Sequence, residues 1–127
     1  MGHGEWVAVV DANFTADYLS HGKPVVRFPG LSLERVSQAV LSVFPLAVDV
    51  PQPAAYMQVS GSAPGHRTPA QRAVVDLVVN EGFDAEHVEA VERYAFYEKI
   101  KSASLIVQTG ESTAFGNAMF CKGVILL

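Results

Sequence analysis

The sequence predicts an α/β fold, in which strands alternate with helices around a largely buried sheet. Short valine-rich runs recur along the chain, and two longer segments between them carry apolar residues at three-and-four spacing. Such runs are typical of buried strands, and such spacing is typical of amphipathic helices. The 127 residues, half of them hydrophobic, are enough for one well-buried domain and too few for two.

The first three elements are predicted before Pro45. EWVAVVDA, at residues 5–12, is a continuous apolar run of the kind that forms a strand buried on both faces, with Asp11 at its carboxyl tip. PVVRF, at 24–28, is a second and shorter strand. A helix begins at Ser32, because the apolar residues that follow fall at helical spacing, and Pro45 discourages its continuation.

The middle of the chain predicts one strand and one helix. AAYMQVSG, at residues 54–61, is the third strand, and the loop SAPGHRTP follows it. Thr68-Pro69 then opens the helical segment AQRAVVDLVVNEG, with proline in its first turn and glycine at its end.

The last third of the chain contains one segment with two interpretations. From His87 to Ser102 the composition favours a single helix, but the apolar residues do not keep to one stripe. The alternative is a strand up to about Arg93, followed by a short helix from Ala95. SLIVQTG, at 104–110, and AMFCKGVILL, at 118–127, are the fourth and fifth strands.

Composition excludes several classes of function. The formal net charge is −4, and the nine Lys and Arg residues are scattered, so no basic stripe predicts a nucleic-acid partner. No apolar run approaches the roughly 20 residues that span a bilayer, and the first ten residues lack a secretory signal. The single cysteine, Cys121, suits a reducing compartment. We therefore expect a soluble cytoplasmic protein without a membrane partner.

Familiar catalytic motifs are absent from the sequence. It contains no phosphate-binding glycine loop, no H-E-x-x-H, no paired cysteines and no G-x-S-x-G. The four histidines show no ligand spacing, so no metal site is predicted. Cys121 lies inside an apolar strand, where a thiol more often fills the core than acts as a nucleophile.

Polar groups at strand tips and turns remain as candidates for a site. They are GHG at residues 2–4, Asp11, Arg93 beside Tyr94, and TGESTAFGN at 109–117. In α/β sheets, ligands collect at the carboxyl ends of strands. Each group also has a simpler explanation, as a solvated loop, a turn cap, a surface charge or core packing. Residue patterns alone leave the function undecided.

Four blocks of the sequence, in order, resemble the L-fucose mutarotase and D-ribose pyranase family. They are MGHGEWVAVVDANF, RYAFYEK, TGESTAFGN and KGVI, and the resemblance extends over essentially the whole chain. The terminal blocks look more like the fucose branch, whereas YMQV at 56–59 is closer to the ribose branch. The resemblance implies a single domain over 1–127, with a central, mostly parallel sheet and helices on both faces.

The resemblance implies a cofactor-free isomerase that interconverts the anomers of L-fucose or a related free monosaccharide. Mutarotation removes a proton from the anomeric hydroxyl while the ring oxygen receives one, and a histidine suits either step. His3 is the predicted acid/base, and Asp11 would orient this imidazole or hold a sugar hydroxyl. The predicted substrate-binding residues are Arg93, Tyr94, Tyr97, Phe115 and Asn117. A homodecamer with sites near subunit boundaries is also implied.

Two departures from the family keep alternatives open. The fucose branch usually has tyrosine where this sequence has Phe115, and relatives have a further N-terminal helix before GHG that this sequence lacks. If Met1 is the true start, His3 lies on a terminus that frays. The rival functions are a D-ribose pyranase and a sugar-binding protein that does not catalyse exchange.

Overall fold

The computed structural model describes residues 1–126, which form a six-stranded sheet and four α-helices. The strands are β1 (Trp6–Val10), β2 (Val25–Phe28), β3 (Ala54–Met57), β4 (Val88–Val91), β5 (Ala103–Thr109) and β6 (Ala118–Cys121). The helices are α1 (Ala16–Leu19), α2 (Leu33–Val43), α3 (Pro69–Asn80) and α4 (Arg93–Lys99), and short 3₁₀ turns cover Ala85–His87 and Ile100–Ser102. In this part of the chain, no helix has the length and hydrophobicity required to cross a membrane.

The strands lie in the order β2-β5-β1-β6-β3-β4. Strand β6 is antiparallel to both neighbours, and the other three pairings are parallel. The predicted α/β class and mostly parallel sheet are therefore confirmed. We call the end of the sheet where the five parallel strands finish, and where β6 starts, the carboxyl end. The opposite end, where β1 starts, is the amino end.

Alternate residues of β1 pack into two different cores. Val7 and Val9 lie in the cluster that α2 and α3 cover, whereas Ala8 and Val10 lie in the cluster that α1 and α4 cover. Side chains alternate between the two faces of a strand, so a continuous apolar run can serve both cores. The predicted helices on both faces are thus present, and the sheet between them is buried.

The segment 87–102 follows the second interpretation, a strand and then a helix. Strand β4 ends at Val91, and the Glu92 side chain accepts hydrogen bonds from the backbone N–H groups of Tyr94 and Ala95. This N-cap starts the helix at Arg93, two residues before the predicted position. As a result, Arg93 lies at the carboxyl end of the sheet.

Three element predictions differ from the structure. Strand β3 stops at Met57, because a turn closed by the Ser62 N–H on the Val59 carbonyl follows it. Strand β6 stops at Cys121, because the Gly123 N–H bonds to the Pro45 carbonyl instead of continuing the ladder. Helix α1 was not predicted, since four residues are too few for a helical period.

Candidate functional site

A cavity of about 330 Å³ opens at the carboxyl end of the sheet. Five of the seven predicted site residues line it, and they come from three separate parts of the chain: Asp11, Arg93, Tyr97, Phe115 and Asn117. The volume lies in the range of small-molecule sites. The sheet therefore brings together residues that are more than one hundred positions apart in the sequence.

Asp11 is the buried carboxylate of the cavity, and its residue is only 6% exposed. Its Oδ1 accepts from the Asn13 N–H at 3.0 Å, and its Oδ2 accepts from the Gly116 N–H at 3.2 Å. Burial raises the pKa of Asp11, and these hydrogen bonds only partly oppose that effect. Asp11 thus caps the following turn, as its simpler explanation predicts, and also faces the cavity.

Asn117 connects β1, β3 and β6 at the floor of the cavity. Its Oδ1 accepts from the Asp11 N–H at 2.8 Å, and its Nδ2 lies 3.7 Å from the Met57 sulfur. The residue is 3% exposed, so its amide has a fixed orientation. An amide held in this way can offer its second N–H to a ligand hydroxyl.

Arg93 supplies the positive charge of the cavity. Its Nε donates to the Tyr97 hydroxyl at 2.9 Å, and its guanidinium lies 5.5 Å from the centre of the Tyr94 ring. The bond to Tyr97 contributes most to raising the pKa of Arg93, and a guanidinium is charged at neutral pH in any case. Tyr97 lines the cavity, whereas Tyr94 is 66% exposed and stands outside the lining, against the guanidinium.

The loop before β6 places Phe115 in the wall of the cavity with a left-handed backbone, at φ +61°. The next residue must be glycine, because a Cβ at Gly116 would lie 2.9 Å from both the Glu111 side chain and the Thr113 carbonyl. The sequence FGN therefore forms a tight corner that turns the Phe115 ring and the Asn117 amide toward the same space.

Gln71 supports this corner, and sequence reasoning missed it. Its side chain is completely buried at the start of α3, and its Nε2 donates to the carbonyls of Met57 and Phe115 at 2.7 and 2.9 Å. Its Oε1 accepts from the Thr68 N–H. The capping-box spacing of Thr68 and Gln71 was readable in the sequence, but the second role of the amide was not.

Residues just after Asp11 and at the end of β3 complete the lining and were also missed. Asn13, Phe14 and Thr15 line the cavity beside Asp11, and Met57 lies opposite them. The position of Asn13, Phe14 and Thr15 directly after a predicted strand was an available signal, because ligand sites gather there. Met57 lies within the predicted strand at 54–61 and carried no such signal. Phe14 also packs edge-on against Tyr97, with ring centres 5.8 Å apart, and so stiffens the apolar wall.

Glu111 is a second carboxylate at this end, but it serves the fold. Its Oε1 accepts from the Leu33 N–H at the start of α2, and its Oε2 accepts from the Thr113 N–H. Burial would raise the pKa of Glu111, yet these hydrogen bonds outweigh it and lower that pKa. The carboxylate therefore acts as a charged cap for α2.

His3 lies at the amino end of the sheet, away from the cavity. Its Nε2 is 3.0 Å from an Asp49 carboxylate oxygen, and both side chains are about half exposed. The five-residue strand β1 separates His3 from Asp11, and such a strand is about 16 Å long. Within one chain, Asp49 and not Asp11 is the carboxylate that contacts the imidazole.

Two other predictions concern metal sites and the cysteine. Among residues 1–126, no three His, Cys, Asp or Glu side chains come together in a group that could hold a metal ion. Cys121 is buried in β6, and burial raises the pKa of its thiol. This environment suits a packing role for the cysteine.

Fold and cavity together define a small α/β protein that can hold one polar small molecule at the carboxyl end of its sheet. The model of the RbsD / FucU transport protein family matches residues 1–125. The chain belongs to this family, and the predicted resemblance is confirmed.

Named relatives match over nearly the full chain. Human fucose mutarotase is 34% identical over 130 residues, which cover all of this chain and 84% of the human protein. The structure of FucU from Bifidobacterium longum has a TM-score of 0.90 at 34% identity, covering 99% of this chain and 88% of that one. A fucose mutarotase from Streptococcus pneumoniae, solved with L-fucose, has a TM-score of 0.86 at 27% identity, covering 99% and 87%.

Proposed function

We propose that this protein is an isomerase that interconverts the α and β anomers of L-fucose. The observation that carries the proposal is the cavity, which combines the Asp11 carboxylate, the Arg93 guanidinium and the Asn117 amide with an aromatic wall. A monosaccharide presents hydroxyls around its ring and apolar C–H faces, so these groups match its chemistry. Relatives that are 34% identical over the whole chain are fucose mutarotases.

In the proposed reaction, the anomeric hydroxyl loses a proton while the ring oxygen gains one, so the ring opens to a free aldehyde. Rotation about the C1–C2 bond presents the other face of the carbonyl, and the reverse proton transfers then close the ring as the other anomer. We propose His3 as the acid/base group, and Asp11, Arg93 and Asn117 as the groups that hold hydroxyls. Only protons move, so no cofactor is required.

We further propose that His3 acts in a cavity of a neighbouring copy. His3 and Asp11 lie at opposite ends of β1, so one chain cannot present both to one sugar. The surface carries large apolar side chains that association would cover, among them Tyr18, Val48 and Leu126, each more than 80% exposed. The family resemblance suggests a homodecamer, and we retain that assembly as the proposal, together with a cytoplasmic location.

Exchange NMR tests the proposed activity. One anomeric proton signal of L-fucose is saturated, and transfer to the other is measured with and without protein, with D-ribose run in parallel. We expect faster exchange for fucose. Acceleration for ribose alone would replace the proposal with a ribose pyranase. Silence with both sugars, from folded and assembled protein, would overturn both enzymes.

Phe115 favours one alternative, a sugar-binding protein without catalysis. Its ring lines the cavity without a hydroxyl at the position where the fucose branch usually has tyrosine. Under this alternative, fucose saturates the protein in a titration, but exchange stays at the rate in buffer. Phe115→Tyr is the matched variant, because a gain of exchange in that variant alone would show that the phenol is the missing group.

A further inference from the structure

His3 is held in a defined place at the amino end of the sheet. The Gly4 N–H donates to the Lys122 carbonyl at the end of β6, at 2.8 Å, and the Gly2 N–H contacts the Glu5 carboxylate. These bonds fix the backbone on both sides of His3. The imidazole itself has one side-chain partner among the described residues, which is Asp49 at 3.0 Å from Nε2.

Asp49 lies in the loop between α2 and β3, which brings it to the same end of the sheet as His3. Its carboxylate caps none of the described helices and forms no ion pair with Lys or Arg there. The hydrogen bond from His3 is the largest cause of a lowered pKa at Asp49, so the carboxylate is charged at neutral pH. Its contact with the imidazole is therefore its main interaction.

We propose that Asp49 is a positioning residue for His3, which holds Nε2 and leaves Nδ1 as the nitrogen that exchanges protons with the sugar. The inference rests on the proposed role of His3 as acid/base. An ionised carboxylate can only accept, so the nitrogen facing it must carry a proton. Nδ1 of the neutral ring is then the free base that can take the proton of the anomeric hydroxyl and deliver it to the ring oxygen as the ring C–O bond breaks; ring closure reverses both transfers.

Two physical effects follow from this pairing. The carboxylate restricts rotation of an imidazole that is otherwise half exposed, so Nδ1 keeps one direction. It also stabilises the imidazolium that forms when Nδ1 accepts a proton, because an opposite charge lies within hydrogen-bond distance. Glu5 and Lys122 are the charged residues that adjoin the same backbone segment, where the Lys122 carbonyl accepts from the Gly4 N–H. Neither contacts the ring within salt-bridge distance.

Nitrogen NMR tests the assignment of the two ring nitrogens without requiring turnover. Protein labelled with ¹⁵N-histidine is recorded in mildly alkaline buffer, where an imidazole is neutral, and His3→Ala identifies the signals. We expect the proton on Nε2 and, on adding L-fucose, a shift of the Nδ1 signal with little change at Nε2. A proton on Nδ1, or a fucose-dependent shift of Nε2 instead, would overturn the inference.

Kinetics of Asp49 variants provide the second test. Asp49→Ala should lower the exchange rate at saturating fucose about tenfold or more, with KM nearly unchanged, since a mispositioned base affects the proton transfer and not sugar binding. Asp49→Glu should restore part of the rate, because its carboxylate can still reach Nε2 from an exposed loop. Equal rates in Asp49→Ala and wild type would contradict the proposal.

Asp17→Ala is the matched control, because Asp17 is also an exposed aspartate in an ion pair, with Arg27 at 2.6 Å. It should leave exchange unchanged. The two proposals fail in different ways. If wild-type protein does not accelerate exchange, the proposed function fails. If it does, but the nitrogen signals or Asp49→Ala contradict the pairing, only the positioning role of Asp49 fails.

Discussion

The two ends of strand β1 place their polar side chains in opposite environments. At the carboxyl end, Asp11 is 6% exposed and accepts backbone hydrogen bonds from two separate loops. At the amino end, the His3 side chain is 46% exposed and is held by Asp49, itself on the surface. The carboxyl end thus forms a pocket with a buried carboxylate, whereas the amino end carries a half-exposed imidazole on the surface.

The difference matches the two roles in the proposed reaction, which are sugar binding at the carboxyl end and proton transfer by the residue at the amino end. A pocket that must recognise several hydroxyls benefits from fixed, buried partners, as with Asp11 and Asn117. A proton carrier on the surface can enter a neighbouring pocket when copies assemble. Substitutions at the two ends should therefore change different properties, fucose binding at the carboxyl end and the rate of anomer exchange at the amino end.

The largest expected effect is on exchange in His3→Ala. Removing the proposed acid/base should slow exchange by about 10²-fold to 10⁴-fold. The fold should remain, because the side chain is half exposed, and fucose binding should largely remain, because the proposed hydroxyl-binding groups Asp11, Arg93 and Asn117 are unchanged. Asp11→Ala should slow exchange and, unlike His3→Ala, should also weaken fucose binding. Exchange NMR and calorimetric titration measure the two properties, and a His3→Ala protein with full exchange would remove His3 from the mechanism.

Mixed assemblies test whether the two ends meet between copies. His3→Ala and Asp11→Ala chains are each expected to be nearly inactive, yet assemblies refolded from both should regain part of the exchange. A copy with intact Asp11 can then meet a copy with intact His3. Refolding each variant alone is the control. If the mixture stays as inactive as the two parents, His3 and Asp11 do not act between chains.

Gln71→Leu should have a moderate effect, confined to the carboxyl end. Two buried carbonyls, of Met57 and Phe115, lose their donor, which should lower the free energy of unfolding by about 1 to 3 kcal/mol. Fucose binding should also weaken, because the Phe115 corner loosens. Urea unfolding measures the first effect. Gln38→Leu, on the exposed face of α2, is the control and should change stability little.

The smallest expected effect is in the pH dependence of stability. Burial raises the pKa of Asp11, so its stabilising contribution is complete below the unfolded pKa and is lost as pH rises through the folded pKa. For Asp49, the bond from His3 lowers the pKa, so its contribution exists above the unfolded pKa and is lost as pH falls.

Urea midpoints measured across pH distinguish these two signs. In wild type, the Asp11 contribution should make stability decline as pH rises, and Asp11→Asn should flatten that decline. The Asp49 contribution should make stability decline as pH falls, and Asp49→Asn should flatten this second decline. The second effect is smaller, because the Asp49–His3 pair is exposed to solvent. The assignment for Asp11 would be contradicted by a wild-type urea midpoint that rises with pH above the ordinary aspartate pKa, together with the same pH dependence in Asp11→Asn.

The fold was largely predictable because its signals are local. The apolar run at β1, the Ser32 cap of α2 and the Thr68-Pro69 start of α3 each specify an element within about ten residues. Segment 87–102 was open, because its helix propensity hides a four-residue strand. Pairing of β4 with β3 makes that segment a strand, and such pairing is not visible in local sequence.

The candidate site was predictable in part. Five of the predicted residues, Asp11 and Asn117 among them, line one cavity because they follow or precede adjacent strands. Gln71 was not predictable, since its amide reaches carbonyls 14 and 44 residues away. The sugar-binding roles of the five cavity residues and the acid/base role of His3 stay predictions.

Short-range patterns and motif blocks in the sequence are enough to identify the family, the α/β class, the helix caps and the polar residues at strand tips. Which of those tips meet depends on the tertiary structure. Strand order brings Asp11, Arg93 and Asn117 to one cavity, and the length of β1 keeps His3 at the other end beside Asp49. The physical reason is that proximity in the fold depends on strand pairing and direction across the whole sheet, which no single segment specifies.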